Sequence, residues 1–189
     1  KKVFKKSNWI WFDPVSYILK CLFFVYYRLL KIISNYNLSY TVEVAEKLPK
    51  EWDSFWDETK IYFNFILLRD KEAIEWRFFR SPNKYKLMIL KYKGELVGYL
   101  ISRIISEEQT RTIVIADYLT KLGHEKALKI ALDKLMEDAL IIDADSISTW
   151  ALYDSAYFAV LKRYGFFQRT RIPVIAHNNE CKNIVDGLE

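Results

Sequence analysis

Cysteine and histidine are scarce in this chain, two of each in 189 residues. Cys21 and Cys181 lie far apart in sequence, so neither a disulfide framework nor a zinc cluster is indicated. A reducing, cytoplasmic setting is the expectation that follows. His124 and His177 are too few and too distant to suggest a metal centre, and no metal is expected. No internal repeat or low-complexity tract is present. Excess positive charge is also missing from most of the chain. The net charge is +5, yet residues 1–34 hold seven lysines and arginines against Asp13 alone, which leaves the remainder slightly negative. A near-neutral body has no electrostatic footprint for nucleic acid, and no such partner is expected.

What is present is apolar and aromatic. Hydrophobic residues make up 51% and aromatics 16%, ample for a core, and the length suits one domain with an extension. The sequence opens Lys1-Lys2 with no methionine, which raises the expectation of a longer protein with an N-terminal companion domain. Three segments are read: a basic amphipathic arm over 1–37, a globular domain over 38–178 and a loosely held tail over 179–189.

The arm contains PVSYILKCLFFVYYRLLKIIS, residues 14–34. On a helical wheel Ser16, Lys20, Tyr27, Arg28, Lys31 and Ser34 share a narrow face, and apolar residues cover the rest. Asp13 before Pro14 is a good helix start. The length approaches a membrane span, but Lys20 and Arg28 would both lie inside it at high cost. Two readings remain open. In one, residues 1–34 lie on an anionic membrane surface, the inner face, with Lys1, Lys2, Lys5 and Lys6 at the headgroups and Trp9 and Trp11 at the interface. In the other, the helix packs on the companion domain. A cleaved signal peptide is not indicated, since no small-residue cleavage site follows the apolar run.

In the globular part, SYTVEVAE (39–46) alternates as a strand. Pro49 opens a helix in which Trp52, Phe55, Trp56 and Thr59 recur at helical spacing. Asp70 can cap a second helix, DKEAIEWRFF, closed by Ser81-Pro82-Asn83. Strands over 85–92 and 95–105 flank Lys93-Gly94, a hairpin signal, and a β-branched run over 112–119 predicts a central strand. Residues 125–142 predict a long helix with Leu128, Ala131, Leu132 and Leu135 on one face. A strand over 146–152, a helix capped by Asp154 and stopped at Gly165, and a last strand over 166–177 complete the order β-α-α-β-β-β-α-β-α-β. The fold class expected is α/β (α+β), a central mixed sheet flanked by helices with an N-terminal amphipathic helix.

With GELVGYLISR as the central hairpin strand, TIVIADYLTKLGHEKALKIAL as a strand–helix step and AYFAVLKRYGFF as a final helix with a Gly-Phe corner, residues 39–177 resemble the GNAT superfamily of N-acyltransferases. RDKEAIEWRFFRSP is similar to an Arg-Asp…Trp-Arg segment in GNAT-like second halves of bacterial proteins linked to surface-polysaccharide biosynthesis. The resemblance implies acyl transfer from acetyl-CoA or another acyl-CoA to an amine, with an amino sugar as one acceptor.

The family holds the coenzyme A pyrophosphate in an Arg/Gln-x-x-Gly-x-Gly/Ala loop, whose small residues let backbone N–H groups face the phosphates. The matching residues here are Thr120-Lys121-Leu122-Gly123-His124-Glu125. Gly123 keeps the pattern, whereas Thr120 and Glu125 depart from it. The cofactor-binding residues expected are Leu119, Lys121 and Gly123. Many members place a general-acid tyrosine four residues before the corner glycine. Leu161 stands there, and Tyr157, one turn earlier, is the substitute. Asp117 and Asp154 are the candidate bases; Asp117, at a strand end, is preferred, and Asp154 also suits an N-cap. Trp76 and Arg77 are the candidate acceptor-binding residues. Against acyl transfer stands a second reading from another class: a catalytically silent GNAT-like half that shapes a cleft or docks the protein.

Overall fold

The strand patterns assemble into one five-stranded sheet in the order β1-β2-β3-β4-β5. A computed structural model describes residues 39–63, 66–107, 110–152 and 155–170, with Ile18, Leu22 and Val25 of the arm. Strand β1 (Tyr40–Ala45) pairs antiparallel with β2 (Lys86–Tyr92), Tyr40 opposite Tyr92 and Ala45 opposite Leu87. The turn Lys93-Gly94, both at positive φ, joins β2 to β3 (Glu95–Glu107) as the hairpin signal predicts. Strand β4 (Thr110–Thr120) runs antiparallel to β3 and parallel to the short β5 (Ser146–Thr149).

Helices cover both faces. On one side lie α1 (Trp52–Lys60) and α2 (Lys71–Ile74), the latter continuing as a π-helical turn over Glu75–Phe79. Trp52, Phe55, Trp56, Ile74 and Phe78 pack there on Leu87, Ile89, Leu96, Tyr99, Ile101 and Leu119. Asp70 caps α2 by accepting the Ala73 N–H, as its position in the sequence suggests. On the other side α3 (Glu125–Ile141) sets Leu128, Ala131, Leu132 and Leu135 on Met88, Leu90, Leu100, Ile113 and Ile115. Helix α4 (Ala156–Arg163) adds Val160 and Leu161 to that layer.

Several details differ from the sequence reading. The fifth strand stops at Thr149 and leaves Trp150 and Leu152 exposed. Ser155 caps α4 by accepting the Phe158 N–H. Residues 166–170 form no strand, and the rest of the last strand expected, 171–177, lies outside the described residues together with the tail. Asp154 and nearly all of the arm also lie outside them. Ile18, Leu22 and Val25 are helical and exposed. Among the described residues no helix is long and apolar enough to cross a membrane.

Two irregularities shape the end of the sheet. Ile101 pairs with Asp117 but Ser102 with Ile115, so Ala116 is an extra residue in β4, a β-bulge. Gly98 lies against the last turn of the same strand. A Cβ there would stand 2.7 Å from the Leu119 carbonyl oxygen and 2.8 Å from Thr120 Cγ2. Gly98→Ala is therefore expected to cost about 1–3 kcal/mol, seen as a lower urea midpoint at unchanged slope. A midpoint equal to that of the parent would contradict this packing.

Candidate functional site

Strand β5 follows β4 only from Thr112 to Ile115, where Ile115 faces Thr149. Beyond the bulge, residues 116–120 of β4 have no β5 partner, and the two strands part. Tyr118 Oη donates to the Trp150 carbonyl at 3.0 Å across the gap. Among the described residues the result is an open strand edge between the two helical layers.

Side chains alternate about that edge. Asp117 and Leu119 turn toward α1 and α2, whereas Tyr118 turns toward α4 and meets Tyr157 edge to face at 5.3 Å. Leu119, expected at the cofactor, is a core side chain of the α1–α2 layer. The edge toward α4 is supplied instead by Thr120, whose N–H donates to Tyr157 Oη at 3.1 Å. The Tyr157 hydroxyl also contacts Thr120 Oγ1 at 3.1 Å and the Thr120 carbonyl at 3.3 Å. Burial raises the Tyr157 phenol above the usual tyrosine value, partly offset by the Thr120 hydrogen bonds. It is therefore protonated at neutral pH, as a proton donor must be. Leu161 is buried in the α3–α4 core.

The loop from β4 to α3 closes on itself. Gly123 adopts φ +83, a conformation that side chains rarely take, and its N–H donates to Glu125 Oε1 at 3.1 Å. A carboxylate thus sits on the amide that the loop pattern would turn to a phosphate. The nearby basic side chains are engaged elsewhere. Lys121 Nζ pairs with Glu58 Oε2 at 2.5 Å, and His124 Nδ1 lies 3.1 Å from Tyr40 Oη within a ring cluster of Tyr40, Tyr92 and His124.

On the opposite side of β4, Asp117 is the hub of a buried polar network. Arg69 Nε lies 3.1 and 3.0 Å from its two oxygens, and Arg69 Nη2 lies 2.8 Å from Oδ1. Tyr99 Oη donates to Oδ2 at 3.0 Å, and the Tyr118 N–H donates to Oδ1 at 3.0 Å. Arg77 Nη1 stands 3.8 Å from Oδ2. Burial first, and then the Asp117 charge, push the Tyr99 hydroxyl well above its usual value, so it stays a donor. The Arg69 guanidinium joins a carboxylate 48 residues away in sequence, and sequence reasoning missed it. The Arg-Asp…Trp-Arg segment contains Arg69, but no spacing rule links it to β4.

Of the two residues expected to bind an acceptor, Arg77 reaches this network while Trp76 points outward, 68% exposed. Around the start of α2, Asp53, Asp70, Lys71, Glu72 and Glu75 line an open depression of about 370 Å³. Among the described residues no group of three His, Cys, Asp or Glu side chains could hold a metal ion.

Known structures share this arrangement of strands and helices. An aminoglycoside acetyltransferase from an uncultured soil metagenomic sample, solved with trehalose, superposes with a TM-score of 0.55 at 12% identity, over 75% of this chain and 97% of that one. A ribosomal-protein-alanine N-acetyltransferase from Brucella melitensis biovar Abortus 2308 gives 0.52 at 16% identity, over 74% and 99%. AAC(6')-Iy bound to the bisubstrate analogue CoA-S-monomethyl-acetylneamine gives 0.51 at 9% identity, over 74% and 98%. No protein-family model matches the chain, and no curated protein matches it in sequence. At such identities the likeness speaks for architecture: a mixed five-stranded sheet between helical layers, the GNAT acyl-CoA N-acyltransferase fold.

Proposed function

We propose that this domain transfers an acyl group from acyl-CoA, acetyl-CoA being the simplest donor, to an amine, with amino sugars among the acceptors. The observation that carries the reading is the open edge of β4 after Ile115, which a sheet closed by β5 to its end would lack. Acyl-CoA supplies an activated thioester that an amine attacks directly, so positioning is the main device asked of the protein. The Thr120 N–H and the Gly123 N–H are the backbone donors at hand, and Lys121 adds charge once it leaves Glu58. Tyr157 holds a proton for a departing thiolate. Asp117, the base the sequence suggests, has both oxygens occupied and would take a proton only after Tyr99 or the Tyr118 amide gave up its hydrogen bond. The acetyltransferase identities of the neighbours in structure support this reading.

Glu125 opposes it in part. Its carboxylate must leave Gly123 before an anion takes that amide, and its repulsion of a phosphate costs on the order of 1–3 kcal/mol. Acetyl-CoA titrated calorimetrically into the protein is expected to bind saturably at micromolar concentration. Glu125→Ala should tighten binding about tenfold, that is about 1.4 kcal/mol. No heat with either protein would overturn the proposal.

A second reading draws on the same contacts. Gly123 and Thr120 are both satisfied internally, which suits a silent GNAT-like half of a tandem, polysaccharide-linked protein. In that role the basic arm docks the protein on an anionic membrane or on a companion domain. The exposed row Ile18, Leu22 and Val25, at helical spacing, supports an apolar contact of either kind. Flotation with vesicles containing phosphatidylserine at low salt is the expected result for the membrane. Protein remaining at the bottom of the gradient would remove that partner.

A further inference from the structure

Among the described residues the network around Asp117 holds one guanidinium more than its carboxylate neutralises. Arg69 spans both oxygens, and Tyr99 and the Tyr118 amide take further lone pairs, so Asp117 is saturated without Arg77. Arg77 Nη1 stays at 3.8 Å from Oδ2, beyond hydrogen-bond distance. Its Nη2 is tied to the Leu68 carbonyl oxygen at 3.2 Å, and its guanidinium carbon lies 5.7 Å from the Phe78 ring centre. These contacts fix the position of the side chain without neutralising it. Among the described residues Arg77 has no carboxylate besides the saturated one; Glu75, two positions earlier, forms no ion pair with it.

A second cation beside one carboxylate is unfavourable where water is partly excluded, and the Arg69, Asp117 and Arg77 side chains are 14%, 7% and 31% exposed. The π-helical turn that carries Arg77 is itself a feature frequent at functional sites. A planar guanidinium with donors to spare, oriented by the Leu68 carbonyl and partly exposed, matches an oxyanion better than any other ligand. Asp117 follows the bulge residue Ala116, at the start of the open edge of β4.

We propose that Arg77 recognises an anionic group on the acceptor: the amine that this domain acylates also carries a carboxylate or a phosphate. The inference rests on the acyl-transfer reading and narrows its acceptor class. The net charge of one cation among the cluster's described residues favours a single anionic group over a neutral amine.

Acceptor pairs that differ only in the anion test it, titrated into the protein with coenzyme A present and followed at the Arg77 Nε–H and Trp76 indole N–H resonances. One pair is glucosamine 6-phosphate and glucosamine; the other is β-alanine and its amide. The two pairs separate phosphate from carboxylate. The charged member of at least one pair is expected to bind about tenfold more tightly. Arg77→Gln should bring that ratio close to one, and Arg77→Lys should restore part of it. Equal affinities within both pairs, a preference that survives Arg77→Gln, or no shift with either charged compound up to about 10 mM would overturn the proposal. Coenzyme A binding is read from the amides of 118–125 in the same samples. Its absence would sink the acyl-transfer reading as well, whereas normal binding without charge preference would sink only the acceptor assignment.

Discussion

Strand β5 leaves β4 at Ile115, and most of what is distinctive in this molecule follows from that parting. The bulge at Ala116 falls one residue later, where pairing with β3 slips and the strand turns. Past that point β4 has one satisfied side, toward β3, and one side that other groups must satisfy. Backbone donors cannot be left bare in a half-buried gap, so side chains reach in. Tyr157 takes the Thr120 amide, Asp117 takes the Tyr118 amide, and Tyr118 itself bridges to Trp150. The gap is thus held open by hydrogen bonds that a competing ligand could replace one for one.

The two faces of the open strand carry different chemistry. Toward α3 and α4 are a phenol, a threonine and a glycine loop whose Lys121 is paired with Glu58 and whose Glu125 sits on the Gly123 amide. Toward α1 and α2 is a charged hub in which Arg69, Arg77, Tyr99 and Asp117 meet. Removing one partner of such a buried pair leaves a desolvated charge, a loss of several kcal/mol, so the hub holds the 66–70 segment against β4. A donor on one face and an acceptor on the other would meet only at the strand end. That division is the physical content of the acyl-transfer reading.

Local rules carried most of the architecture. The Lys93-Gly94 turn, the alternating strands, the Asp70 cap and the apolar face of α3 each follow from neighbours a few residues apart. They were legible because propensity, periodicity and turn chemistry agree there. The site was less so. The Arg69–Asp117 contact joins residues 48 apart, and the Tyr157–Thr120 contact joins residues 37 apart. Neither separation leaves a mark in a single sequence. The resemblance named Trp76 and Arg77 together as acceptor-binding candidates, while the π-helical turn at Glu75–Phe79 sends one outward and the other toward Asp117. Trp150 and Leu152 read as strand because they are apolar, yet β5 ends before them.

The central claim is that the open end of β4 and the Gly123 loop form the seat of acyl-CoA. Backbone amide chemical shifts recorded during a titration with acetyl-CoA test it most directly. The account predicts saturable shifts centred on Tyr118, Thr120 and Gly123, with the Tyr157 contact to Thr120 released as the ligand binds. Unchanged amides over 116–125 in a folded sample, or saturable shifts confined to another surface, would contradict it.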